Sequence, residues 1–190
     1  MHRIPLLLAL LLALAGFPAR GAMLEGQRFD ERASVASHEL QLNGLGVREA
    51  YIFKAFVAAL YLPQRSALAQ DILGQDAPRR LQLRMLMDIP APEIRKALVR
   101  GMRKNVEPQE WDALQGRVDQ FARTIDTIGT AREGDTINLD YLPGRGLLLA
   151  VNDLPRGPVI AGADFYQALL EIFVGPNPVD TRLKKALLGQ

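Results

Sequence analysis

Two glycines one residue apart, Gly44 and Gly46, interrupt the apolar stretch Leu40–Leu62, which reads LQLNGLGVREAYIFKAFVAALYL and carries Arg48 just past the gap. Val, Ile, Tyr and Phe are frequent here, so the stretch predicts two central strands, Val47–Phe53 and Ala55–Leu62, the second ended by Pro63. A glycine inside a strand marks a place where another backbone or a ligand comes close, because no Cβ stands in the way. Arg48 then sits at the mouth of an expected buried sheet face. A guanidinium withdrawn from water costs several kcal/mol unless an anion meets it. What that anion is becomes the main functional question.

The rest of the chain supplies partners for this sheet. In Arg79–Asp88 the residues Leu81, Leu83, Met85 and Met87 alternate with Gln82, Arg84, Leu86 and Asp88, which predicts a strand with one apolar face. Pro92 opens a helix reaching Asn105, with Ile94, Leu98 and Met102 as its buried stripe. Its other face carries Arg95, Lys96, Arg100, Arg103 and Lys104, read as a solvated helix face. Pro108 begins a longer helix in which Trp111, Leu114, Val118, Phe121, Ile125 and Ile128 recur at helical spacing. Thr136–Tyr141 and Gly146–Val151 form a hairpin, and Ala163–Val174 and Val179–Leu188 are two last helices. This order predicts an α+β domain with a mainly antiparallel sheet and helices packed on one face.

The first residues stand apart. A basic start, the Leu/Ala-rich run Ile4–Ala15 and the breaker Gly16-Phe17-Pro18 predict a signal peptide over residues 1–22, cut after Gly21 or Ala22, and one domain over 23–190. The run is shorter than the roughly 20 residues a spanning helix needs, so no stable membrane span is expected after cleavage. The expected destination is the periplasm. The chain has no cysteine, which excludes disulfides and lipid attachment at a thiol. Its formal charge of +2 includes Arg3 and Arg20 of the leader, and the near-neutral remainder does not suggest nucleic acid or an anionic membrane as partner.

Chemically reactive residues are scarce. His38 is the sole histidine after the leader, so the usual zinc or copper ligand sets cannot be assembled, and no metal or cofactor is expected. Gly44-Leu45-Gly46 lacks the third glycine of a dinucleotide fingerprint, and no serine lies in a Gly-x-Ser-x-Gly setting. Asp126, Asp135, Asp140 and Asp153 are scattered among turns and an exposed strand face.

Several segments taken in order resemble the chalcone isomerase family, specifically its bacterial secreted, chalcone-isomerase-like branch. They are Leu42–Arg48, Phe53–Leu62, Gly134-Asp135 with Leu139–Gly144, Gly162–Phe165 with Ala168–Leu170, and Gly175 with Pro178–Asp180 and Leu187–Gly189. The resemblance implies an open-faced β-sandwich, a large antiparallel sheet with helices layered on one face. It also implies that Arg48 matches the arginine that positions and stabilises substrate oxygens in the plant enzymes. The hydroxyl-bearing position on the next strand corresponds to Phe56, and the last polar residue of the enzymes' cleft to Tyr166. The other polar cleft residues have no equivalents around Met87–Met102. This chain thus keeps the guanidinium and lacks most of the donors that orient a polyphenol.

The leading expectation is a non-catalytic binding protein for a small amphipathic carboxylate such as a fatty acid. Arg48 would grip the carboxylate, and Phe56, Met85, Met87, Ile94, Leu98, Phe165, Tyr166 and Leu169 would line the cleft. One alternative is an isomerase or lyase acting on an unsaturated carbonyl compound, with Arg48 stabilising an oxyanion and Tyr51, Tyr61 or Tyr166 donating a proton. Another is an envelope structural or interaction protein without a ligand, with Arg48 paired to a buried acid such as Asp164 or Glu171.

Overall fold

The computed structural model describes residues 21–50 and 52–190. Of the expected leader only Gly21 and Ala22 fall within them, and Tyr51 lies outside. A hairpin of β1 (Gly21–Leu24) and β2 (Gln27–Asp30) comes first. Then follow β3 (Arg32–Val35), β4 (His38–Ala50), β5 (Phe53–Leu62), helix α1 (Ala69–Gly74) and β6 (Arg79–Met85). A two-residue strand β7 (Ile89–Pro90) leads into α2 (Ala91–Arg103) and α3 (Pro108–Asp126). After β8 (Thr130–Ala131) come β9 (Thr136–Leu142), β10 (Gly146–Val151), β11 (Leu154–Ile160), α4 (Ala163–Val174) and α5 (Thr181–Leu187).

Seven strands form one antiparallel sheet in the order β11-β10-β9-β6-β5-β4-β3. Strand alternation sorts its residues onto two faces. Ala58, Leu60, Leu81 and Leu139 join the helices in the larger core, while Val57, Ala59 and Tyr61 join Phe29, Leu40 and Leu42 in a smaller one on the other side. The helical layer was expected; the second core, with Phe29 of the N-terminal hairpin at its centre, was not.

Local chemistry explains most element ends. Pro108 stands in the first turn of α3, where its missing N–H costs nothing, and Glu107 and Glu110 form a reciprocal capping box. Trp111, Leu114, Val118, Phe121 and Ile125 are its buried stripe, as the spacing predicts. β6 stops at Met85 instead of reaching Asp88. There the Met85 N–H donates to the Asp135 carbonyl, and the Met85 carbonyl accepts from the Gly134 N–H, which closes the ladder against a loop. β11 was not anticipated because Pro155, Gly157 and Pro158 lie inside it; it is an edge strand, where proline needs no ladder partner.

Gly44 and Gly46 admit α5. A Cβ on Gly46 would stand 2.6 Å from the Cβ of Ala186, and one on Gly44 would run into the Ala186 and Leu187 carbonyls. Asn43 secures the contact by donating to the Leu187 carbonyl at 2.8 Å. Helix α5 begins at Thr181, two residues later than predicted, because Asp180 is its N-cap and accepts from the N–H groups of Arg182 and Leu183.

Candidate functional site: an apolar cavity behind Arg48

Register places Arg48 opposite Phe56, and Phe56 opposite Met85, so the three form one row across β4, β5 and β6 on the helix-covered face. Helix α2 adds Ile94 and Leu98 above this row, and α4 adds Leu169. Between them lies a cavity of about 240 Å³ whose lining is almost wholly hydrocarbon. Its inner end is closed by buried Leu139, Leu149 and Leu169. Glu93, Ala97 and Arg100, the exposed members of the lining, mark where it opens.

Arg48 stands at this opening. Its Nη1 lies 3.4 Å from Oδ2 of Asp180, and the two side chains are 23% and 16% exposed. The contact is long and single. Arg80 instead grips Asp140 with Nε and Nη2, both at 2.6 Å, and Arg117 grips Asp164 through two bonds of 2.7 and 2.6 Å. Those two guanidinium forks are fully used; the Arg48 fork is not. Asp180 cannot close it well, because its Oδ1 already accepts the first N–H groups of α5. No nitrogen of Arg48 is sealed away without a partner, so its remaining N–H groups stay accessible at the mouth. Arg100 forms no ion pair among the described residues.

Six of the nine expected site residues therefore meet around one cavity: Arg48, Phe56, Met85, Ile94, Leu98 and Leu169. Three do not. Met87 lies beyond the end of β6, in a shallow surface trough with Ile52, Phe53 and the Lys54–Glu25 pair, because the alternation that would have turned it inward stops at Met85. Phe165, one turn before Leu169 on α4, is buried edge-on against Phe121, with ring centres 5.7 Å apart. Tyr166 is fully buried and stacked on Tyr141 at 4.9 Å, and its hydroxyl donates to the Leu139 carbonyl. Burial pushes that hydroxyl well above the usual tyrosine range.

The acids offered for Arg48 need correction as well. Asp164 is held by Arg117, which keeps its carboxyl below the usual range, and Glu171 accepts from Gln167. The partner is Asp180, which a cap reading of Asp180-Thr181-Arg182 could have found. Of the tyrosines offered as proton donors, Tyr51 lies outside the described residues. Tyr61 belongs to the opposite face of the sheet, where it donates to the Asp30 carbonyl and burial pushes it up to about 12. Arg100 was missed as a site residue because it read as part of a solvated helix face, and Glu93 carried no reading of its own. Among the described residues no cluster of His, Cys, Asp or Glu could hold a metal, and no helix is long and apolar enough to cross a membrane.

A curled antiparallel sheet, a helical layer and a ligand-sized cavity between them define an α+β domain of the open-faced sandwich kind. The family model described as chalcone isomerase-like matches residues 21–189, and the chain belongs to that family. Among solved structures it is similar to a fatty-acid binding protein of Arabidopsis thaliana, with a TM-score of 0.70 at 14% identity, over 89% of this chain and 96% of that one. At that identity the likeness is one of fold. Comparison with curated proteins gives no match.

Proposed function

We propose that this protein binds a small amphipathic carboxylate, a fatty acid of medium chain length, with its headgroup on Arg48 and its tail in the cavity. The observation that carries the reading is a guanidinium with one long contact at the rim of an apolar void. A carboxylate entering there offers two oxygens to a planar fork that Asp180 leaves largely open. The tail replaces water along Phe56, Met85, Leu98 and Leu169. An apolar cavity of about 150 Å³ accommodates a benzene-sized molecule. One of about 240 Å³ should then take a chain of roughly eight to ten carbons. At about 0.8 kcal/mol per methylene, such a tail contributes on the order of 6 kcal/mol before ordering costs. That the fold neighbour is a fatty-acid binding protein supports the same ligand class.

The polar lining favours binding over catalysis. Ring closure of an unsaturated ketone needs several donors aimed at the developing charge. Among the described residues the cavity presents Arg48, Arg100 and Glu93 and no hydroxyl. We further propose that the protein is exported and acts in the periplasm, on the strength of the leader.

Native mass spectrometry of protein purified from cells tests the binding reading. The wild type should carry a co-purifying acid of the predicted length, and Arg48→Ala should be recovered largely empty. An empty wild type that also takes up no added decanoate would overturn the reading.

A further inference from the structure

Ile52 in the turn after β4 and Phe53 at the start of β5 are exposed, at 88% and 59% of their full surface, and they share a surface trough with Leu86, Met87 and the Lys54–Glu25 ion pair. The same two chain segments supply Ala55, Phe56 and Ile89 to the cavity, so the trough and the cavity share one end of the sheet, with Leu86 of the trough packed against the smaller core on the other face. Across the mouth stands α2. Lys96 and Arg100 on it and Lys104 at its C-cap recur every four residues and form one exposed stripe, with none of the three in an ion pair among the described residues. Arg100 belongs both to this stripe and to the cavity lining, which ties the cations to the mouth. Of the nearby acids Glu25 holds Lys54, Glu49 holds Arg182 and Asp126 holds Arg95, while Glu93 and the adjoining pair Asp88 and Glu133 form no ion pair among the described residues. The near-neutral charge of the whole chain conceals the excess along the stripe.

We propose that this end of the molecule docks on an anionic lipid surface, with Ile52 and Phe53 entering the headgroup layer and the α2 stripe resting on lipid phosphates. Exposed apolar side chains together with unpaired cations are a combination that holds a domain at an anionic interface. A protein partner would meet the trough but leave the regularly spaced stripe without a purpose. Docking this way turns the cavity mouth toward the bilayer, from which an amphipathic molecule could enter without crossing water. The docking surface stands on exposed residues and does not require the carboxylate reading to hold.

Sedimentation with vesicles tests it. The folded protein should bind vesicles of phosphatidylglycerol and phosphatidylcholine and ignore phosphatidylcholine alone, and the binding should weaken as salt is raised. Ile52→Ser/Phe53→Ser and Lys96→Glu/Lys104→Glu should each weaken binding about tenfold or more. Both variants should keep the wild-type circular dichroism and, in the absence of vesicles, the wild-type uptake of decanoate. Absence of binding to the anionic vesicles would overturn the proposal, as would binding unaffected by either double substitution or by salt. Self-association abolished by Ile52→Ser/Phe53→Ser, without vesicle binding, would assign the face to a second copy and also overturn it. Failure of decanoate uptake with vesicle binding intact would sink the carboxylate reading alone.

Discussion

Arg48 and Arg79 show two ways in which this fold keeps a guanidinium out of bulk water. Arg79 is 2% exposed, donates to the Ile72 carbonyl and lies 5.3 Å from the ring centres of both Tyr141 and Tyr166. It forms no ion pair among the described residues, and burial lowers its pKa from the usual arginine value. Arg79→Ala should cost about 2–4 kcal/mol, since it opens a hole beside the stacked Tyr141–Tyr166 pair and frees a buried carbonyl. Arg48→Ala should cost within about 1 kcal/mol, as expected for a partly exposed ion pair. Urea denaturation of the two variants distinguishes a guanidinium that holds the fold from one kept for a ligand. Arg79 was legible in principle: it shares strand parity with Leu81 and Met85, so alternation alone turns it inward and Arg80 outward. Glu171 gives a residue-scale test in pH. It is half-buried, and desolvation raises its pKa, so its ionised form destabilises the folded state. Glu171→Gln should raise Tm at neutral pH by on the order of 1–3 °C. The gain should fade as pH falls below the ordinary glutamate value, where the carboxyl is neutral in both states. A gain that grew in acid would contradict this.

At the scale of elements, α5 connects the glycines of β4 to the candidate site. Gly44 and Gly46 let the helix lie directly on the strand, and the helix then brings its cap, Asp180, to Arg48. Gly46→Val should overpack this contact and cost about 1–3 kcal/mol. It should also change carboxylate affinity, because Asp180 moves with the helix it caps; thermal melting and ligand titration on the same sample check both. The sequence marked where a close approach would occur but not what would approach, since α5 lies more than a hundred residues further along the chain. The regular elements were readable wherever one periodicity ran unbroken, as in α4, whose bounds match the expected Ala163–Val174. Reading failed where tertiary pairing overrode the local pattern. The loop at Gly134-Asp135 cuts β6 short and sends Met87 outward, and an edge position makes a strand of a proline-bearing segment.

For the molecule as a whole, the telling feature is a void that its own side chains do not fill. Left dry and closed, an apolar cavity of about 240 Å³ would cost on the order of 6 kcal/mol, comparable with the entire stability of many domains. Its opening reduces that figure without removing it. Leu169→Phe should therefore raise Tm by a few degrees while weakening ligand uptake, opposite effects from one substitution. A fall in Tm would show the space to be already packed. No periodicity in the sequence could reveal this void, because an apolar face reads alike whether it meets another face or stops short of one. The central claim, that Arg48 recognises a carboxylate at the mouth of this cavity, is tested most directly by calorimetric titration with decanoate and decanol. The wild type should bind decanoate at least about tenfold more tightly than the alcohol, and Arg48→Gln should lose most of that difference while still binding decanol. Equal affinities in the wild type, or a preference for the acid that survives Arg48→Gln, would contradict it.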